Sequence, residues 1–409
     1  MTEHATRPRR LPGDAADLVE LRPWQEALRA QFPQITADES LAYLDSAATS
    51  QKPRQVLDAV QRYLTTTNAN AGRGSYPWAN ETTALVGRTA DRLRRFLGDP
   101  DPGRSGVHFV SGATEGLRAV ARDWLPGLLR DGDEIVVPFG DHQANLVPWR
   151  ETVDLLAREG RHVRLRPLPC QASSGDYDPA ALARMVGART RFVAATHVHH
   201  VYGGDMNVHR IREVVGPRVP ICLDAAQGIG HLPLSVAELD VDFVVFSGHK
   251  ALALPGSGAV WARNARGPVF RPGGWSGTQN TAGIVSLGAA LDWLEAAGVR
   301  RVSRWTTALA ARLTEGLRRL APYEVLGCGL SLAADSAVQR RVGIVTFRHR
   351  DIGSDDLGFI LYSHGFMVRA DSLCQAGVDE REGSVRVSLH VYNTPGEVDR
   401  LLAVLATLR

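Results

Sequence analysis

The basic residues of this chain single out one side chain. Of 47 lysines and arginines, only Lys52 and Lys250 are lysine. Arginine substitutes readily for lysine on a solvated surface, but its guanidinium cannot form a Schiff base. A chain this poor in lysine therefore keeps one where a primary amine is required. Lys52 stands in SQKPRQ ahead of a helical pattern and reads as a surface residue. Lys250 ends the apolar run DFVVFSGHK (242–250), where a charge needs a reason.

Other segments carry groups that suit the same site. SGATEG (111–116) follows an apolar run and opens a helical pattern, so the backbone N–H groups around Ala113 and Thr114 can hold a phosphate. Such turns are common, and alone this one says little. In LDAAQ (223–227), Asp224 ends a buried run and Gln227 follows it. A carboxylate there could pair with a protonated ring nitrogen, although an Asx-turn or helix cap is the plainer explanation. His142 follows EIVVP (134–138), where an imidazole could stack on a planar ring or simply be a satisfied loop histidine. Ser247 and His249 flank the lysine and add phosphate ligands. An amine, a phosphate cradle, a carboxylate for a ring N–H⁺ and a stacking ring together describe a site for pyridoxal 5′-phosphate, whose ring acts as an electron sink.

The elements that must position these groups alternate. Apolar runs VHFV (107–110), EIVVP (134–138), HVRLRPL (162–168), RFVAATHV (191–198), PICLDAA (220–226), DFVVFSG (242–248) and GAVWA (258–262) are separated by helical patterns such as ALARMVG and HRIREVVG. That alternation predicts a mostly parallel sheet covered on both faces, which binds ligands at the carboxyl ends of its strands. After Gly283 the pattern changes. A long helical stretch (302–320) leads into a smaller α+β region containing RVGIVTFRH, DDLGFILYSHG, FMVR, SVRVSLHV and a final helix with Thr394 as N-cap and Pro395 at its first position. The expected division is an arm and helix over residues 1–40 that packs with the small domain, a large domain over 41–300 and a small domain over 301–409.

Composition is that of a globular protein, with 44% hydrophobic and 22% charged residues. A formal charge of +3 without basic blocks gives no nucleic-acid surface, and no apolar run reaches bilayer length. The N-terminus lacks the apolar stretch of a secretory signal and reads as a loose arm before a helix near residues 22–32. Cys170, Cys222, Cys328 and Cys374 are widely spaced, which suggests neither a zinc site nor a disulfide scaffold and fits a reducing cytoplasm.

In this order, the segments resemble the class V aminotransferase family, and within it the group II (SufS-like) cysteine desulfurases. YLDSAATSQKP, FVSGATEG, DHQANLVPW, LDAAQ, FSGHK, GTQNTAGIVSLGAAL and VRVSLHVYNT carry the resemblance along nearly the whole chain. It implies an α/β architecture of PLP-dependent transferase fold type I (aspartate-aminotransferase-like), with a large mostly parallel sheet domain and a smaller α+β domain. It further implies that Lys250 bonds the cofactor covalently, Asp224 pairs with its ring nitrogen, Gln227 bonds its phenolic oxygen and His142 stacks on the ring and moves protons. Ala113, Thr114, Ser247 and His249 would cradle the phosphate, joined by Thr278 of the partner subunit in a homodimer. Arg386, with Arg369 near it, would bind the carboxylate of a small amino-acid substrate. Cys374 falls where the family's nucleophilic cysteine sits, although a lone cysteine is commonly just a small buried apolar residue.

The departures concern the reaction rather than the cofactor. Asp371, Ser372 and Leu373 replace the glycine and paired histidines usual before the nucleophile. ALALPGSG follows Lys250 where a tyrosine-glycine-proline turn is usual, and His200 stands where an asparagine is common beside the phenolic oxygen. The expected activity is cysteine desulfuration, with persulfide on Cys374 and a possible sulfur-acceptor protein downstream. The alternative is a PLP-dependent C–S lyase or related enzyme of specialised metabolism, which needs no thiol. A scaffold that keeps the cofactor only structurally fits poorly with an intact Asp224, Lys250 and Arg386.

Overall fold

The computed structural model describes residues 15–170, 176–275, 277–327, 342–375 and 383–408. Cys328 and the first fourteen residues of the expected arm lie outside these. All seven predicted strands form. They are β1 (Gly106–Val110), β2 (Glu134–Val137), β3 (Arg164–Pro167), β4 (Thr190–Thr196), β5 (Ile221–Asp224), β6 (Phe243–Ser247) and β7 (Gly258–Ala262). They make one sheet in the order β1-β7-β6-β5-β4-β2-β3. Only β7 runs antiparallel, against both β1 and β6. The inner strands β2, β5, β6 and β7 read as near-continuous apolar runs because both faces are buried, whereas the edge strand β3 (RLRP) is partly exposed. Val244 and Phe246 enter the core on one face of β6, and Phe243 and Val245 the core on the other.

A second, antiparallel sheet has the order β10-β11-β9-β8, formed by β8 (Tyr323–Val325), β9 (Ile344–His349), β10 (Arg369–Asp371) and β11 (Ser384–Ser388). The helices Val299–Arg318, Ser354–Ser363 and Pro395–Leu405 supply its core with Trp305, Leu357 and Leu401. Thr394 caps the last helix through a capping box with Glu397, as expected. FMVR is not one strand. Phe366–Met367 pairs in parallel with Ala42–Tyr43, and the chain then turns into β10. The residues before position 22 are not all a loose arm either, since Ala15–Glu20 is helical. Leu18 joins the core beside Trp305, and Asp17 accepts from Arg304 Nη2 at 2.6 Å.

Residues 42–52 link the two sheets. Asp45 bridges to Ser388 of β11, and Ser50 N–H donates to the His249 carbonyl just beyond β6 at 3.0 Å. The groups on β10 and β11 are thereby brought over the carboxyl ends of β4, β5 and β6.

Candidate active site

Val110 of β1 and Ser247 of β6 both sit opposite Gly258 of β7. A Cβ on Gly258 would lie 2.5 Å from the Phe246 carbonyl oxygen and 2.8 Å from Gly112 Cα, so the strand ends meet only around glycine. The close approach lets Ala113 N–H donate to Ser247 Oγ at 2.8 Å. Thr114, next in the first turn of the helix Ala113–Ala119, is exposed beside this pair.

Asp224 ends β5 and is buried. Ala226 N–H donates to its Oδ1 at 2.9 Å, so the Asx-turn does form, and it engages one oxygen. Burial pushes the carboxyl up to about 6, opposed by the Ala226 hydrogen bond and the positive charge of Lys250. Among the described residues no cation is hydrogen-bonded to it. Buried Gln227 donates from Nε2 to the Ala47 carbonyl at 2.9 Å.

Lys250 closes the short turn Gly248–Lys250 after β6. Burial brings its ammonium down to about 8; Asp224 resists this, and Arg386 and Arg369 add to it. The turn is held by its His249 carbonyl, which accepts from Ser50 N at 3.0 Å, Ser50 Oγ at 2.9 Å, Thr49 Oγ1 at 3.3 Å and Lys52 Nζ at 3.4 Å. Lys52 is therefore not the surface residue expected. Its ammonium is turned inward onto backbone oxygens, including that of Ser50, and burial lowers it to about 8. The His249 imidazole is half-buried, and burial followed by the charges of Lys250 and Lys52 holds it down to about 4.

His142 lies over the same strand ends. Its Nδ1 accepts from Ala144 N–H at 3.1 Å, so Nε2 carries the hydrogen of the neutral ring. Burial, then the charges of Lys250, Arg369 and Arg386, bring it down to about 4. His200 crosses it edge-on, with ring centres 5.0 Å apart. Both His200 nitrogens face protein. Nε2–H donates to the Leu373 carbonyl at 3.0 Å, and Nδ1 lies 4.0 Å from Asp141 Oδ1.

Asp141, His199 and His200 approach one another closely enough to suggest a metal centre. The hydrogen bonds argue against one. His199 Nδ1 accepts from Val201 and Tyr202 N–H at 3.2 and 3.3 Å, so its Nε2 is protonated where it meets Asp141 Oδ1 at 3.2 Å. A protonated nitrogen does not ligate, which leaves two donors where a zinc site takes three or four.

The small sheet supplies the arginines. Arg386 of β11 is buried, donating from Nη1 to the His200 carbonyl and from Nη2 to Asp45 Oδ1, both at 3.2 Å. Arg369 of β10 is its cross-strand neighbour. Its Nε donates to Asp371 Oδ2 at 2.8 Å and its Nη2 to Cys374 Sγ at 3.5 Å. Cys374 is exposed and acts electrostatically on Lys250. Thr278 is exposed on the segment after β7. Sequence reasoning did not find Asp45, Asp141 or Lys52 as partners of these groups. The only available signal was that buried arginines and histidines need acceptors.

A model of the family described as aminotransferase class-V matches residues 42–401. A probable cysteine desulfurase of Vibrio cholerae serotype O1 is 30% identical over 410 residues, covering 93% of this chain and 97% of that protein. One of Streptomyces coelicolor is 32% identical over 420 residues, covering 94% and 97%. Among solved structures, an apo cysteine desulfurase of Thermococcus onnurineus NA1 is similar with TM-score 0.81 and 25% identity, over 94% of this chain and 97% of that one. The cysteine desulfurase CsdA of Escherichia coli, in an S-sulfonic acid form, gives 0.77 and 26% over 94% and 98%.

Proposed function

This chain belongs to the class-V aminotransferase family, and we propose that it is a pyridoxal 5′-phosphate-dependent cysteine desulfurase with Cys374 as its sulfur acceptor. Names of relatives over nearly the full length support the activity, and the chemistry of the donor set supports the cofactor. Asp224 is a buried carboxylate pushed up to about 6, and a ring N–H⁺ would supply its counter-charge. Ala113, Thr114, Ser247 and His249 would hold the phosphate, His142 would stack on the ring, and Gln227 and His200 would flank the phenolic oxygen. Thr278 of the partner subunit would complete the cradle, which makes the working form a homodimer. When bound, the cofactor supplies an electron sink for charge developing at the substrate Cα.

The chain's own groups perform the remaining steps. Arg386, with Arg369, grips the α-carboxylate through a planar fork. Lys250, lowered to about 8, keeps a usable fraction of free amine near neutral pH and takes the Cα proton. Neutral His142 carries a proton on Nε2 for a second transfer. The Cys374 thiolate attacks the substrate sulfur, the Cβ–S bond breaks, Cβ gains a proton, and Lys250 returns the proton to Cα. L-cysteine and the enzyme thiol thus become L-alanine and an enzyme persulfide, with atoms and electrons balanced. A sulfur-acceptor protein in a reducing cytoplasm would then discharge the persulfide.

The observation that carries the reading is Cys374 Sγ lying 3.5 Å from Nη2 of Arg369, the cross-strand neighbour of Arg386. Cys374→Ala tests it with two assays, one for alanine from cysteine and one for pyruvate. Loss of alanine formation, with a mass-detectable persulfide on wild-type Cys374, supports the desulfurase. Unchanged turnover in the variant, with an elimination product from a cysteine conjugate, would assign the protein as a C–S lyase.

A further inference from the structure

Two departures from the family pattern, far apart in sequence, meet at one residue, Leu373. Asp371 Oδ1 accepts from Leu373 N–H at 2.6 Å, and His200 Nε2–H donates to the Leu373 carbonyl at 3.0 Å. A third departure, the Leu373 side chain, is buried. Leu373 and the following Cys374 both have left-handed backbone, with φ of 57° and 56°. Two successive non-glycine residues in that region are unfavourable and persist only where the surroundings over-determine them. Here they do. Gln143 N–H donates to the Cys374 carbonyl at 3.3 Å, and Gln375 Nε2 donates to the Gly140 carbonyl at 2.9 Å. The second oxygen of Asp371 holds Arg369 Nε at 2.8 Å, which directs Nη2 to the cysteine sulfur at 3.5 Å.

We propose that Asp371 is a positioning residue for Cys374: acting through the Leu373 N–H, with His200 on the carbonyl of the same residue, it holds the left-handed turn that presents the sulfur. The proposal rests on the reading of Cys374 as the sulfur acceptor and adds to it how this chain fixes the thiol without the paired histidines. Asp371 touches neither the sulfur nor the cofactor cradle, and its side chain is 45% exposed, so truncation opens no core cavity.

The test compares Asp371→Ala and Asp371→Asn in the cofactor-loaded enzyme. Hydrogen exchange of the 371–375 peptide reports the turn, and steady-state alanine formation from cysteine reports its consequence. In Asp371→Ala the Leu373 amide should exchange roughly tenfold faster, and kcat should fall by about the same factor, as for loss of one charge-assisted hydrogen bond; KM should rise as well, because Arg369 loses its Asp371 partner. Asp371→Asn keeps an oxygen for the Leu373 N–H and should recover most of both effects. Wild-type exchange in Asp371→Ala would overturn the proposal, and so would an asparagine variant as impaired as the alanine one. Failure of the desulfurase reading is separately visible as unchanged alanine formation in Cys374→Ala. The exchange measurement still decides whether Asp371 holds the turn.

Discussion

The guanidinium of Arg369 stands 3.5 Å from the sulfur of Cys374, with Nη2 donating to Sγ. Asp371 shares that guanidinium, its Oδ2 accepting from Nε at 2.8 Å. Arg369→Gln removes the donor that holds the sulfur and should slow alkylation of Cys374 by iodoacetamide at pH 7 by roughly three- to tenfold, as for loss of one hydrogen bond of about 1 kcal/mol. Peptide-resolved mass spectrometry separates Cys374 from the other cysteines. An unchanged rate would show that Arg369 does not hold the sulfur.

The two lysines make the cofactor assignment directly checkable. Borohydride reduction of the loaded enzyme should fix one pyridoxyl group on Lys250 and none on Lys52. Both amines are brought down to about 8 by burial, so nucleophilicity alone does not separate them. Position does, because Lys52 is spent on the carbonyls of Ser50 and His249 while Lys250 faces Asp224 and the arginines. Label on Lys52 in a tryptic map would refute the assignment.

How much of this was legible in the sequence depended on range. The large sheet was legible because its inner strands are buried on both faces, which leaves near-continuous apolar runs with no competing helical period. The placement of Asp224 and Lys250 followed, since residues just past parallel strands have one place to be. The ion pairs were not legible. Asp45 and Arg386 are 341 residues apart, and nothing local to either records the other. Asp371 could be recognised as a departure, but its bond to Leu373 N–H depends on a left-handed turn that no local pattern requires. The helix Ala15–Glu20 is short and depends on docking beside Trp305, so local propensity alone did not reveal it.

Gly116 sets the distance between the phosphate-cradle helix and the sheet. A Cβ there would lie 2.5 Å from Val245 Cγ1 and 2.9 Å from Val260 Cγ2, both on buried strands. Gly116→Ala should therefore cost about 1–3 kcal/mol through overpacking, although alanine is the better helix former. Because the helix begins at Ala113, its displacement should also weaken retention of the cofactor. Gly87→Ala is the control, since a Cβ there meets nothing within 4 Å in the helix Pro77–Phe96. Thermal unfolding should show a lower midpoint for Gly116→Ala and an equal or higher one for Gly87→Ala. Equal midpoints for Gly116→Ala and wild type would mean that the helix is free to shift.

The last prediction uses the buried charge of Asp224 and has a definite sign. Its carboxyl is raised from 3.8 to about 6, so the folded protein binds that proton more tightly than the unfolded chain. The associated stability is fully present below the unfolded value and is lost as pH rises through about 6. Asparagine keeps an oxygen for the Ala226 N–H but has no proton to lose. In cofactor-free protein, the stability of Asp224→Asn relative to wild type should therefore improve between pH 4.5 and 7.5. Two pKa units set an upper bound of about 3 kcal/mol, and because the window opens at pH 4.5, above the unfolded value, the gain within it should be about 1–2 kcal/mol. Urea unfolding at the two pH values measures it. With cofactor present the order should reverse, because the variant loses the partner of the ring N–H⁺ and retains the cofactor less tightly. If the cofactor-free difference is the same at both pH values, the carboxylate is solvated or already paired, and the electrostatic case for its role disappears.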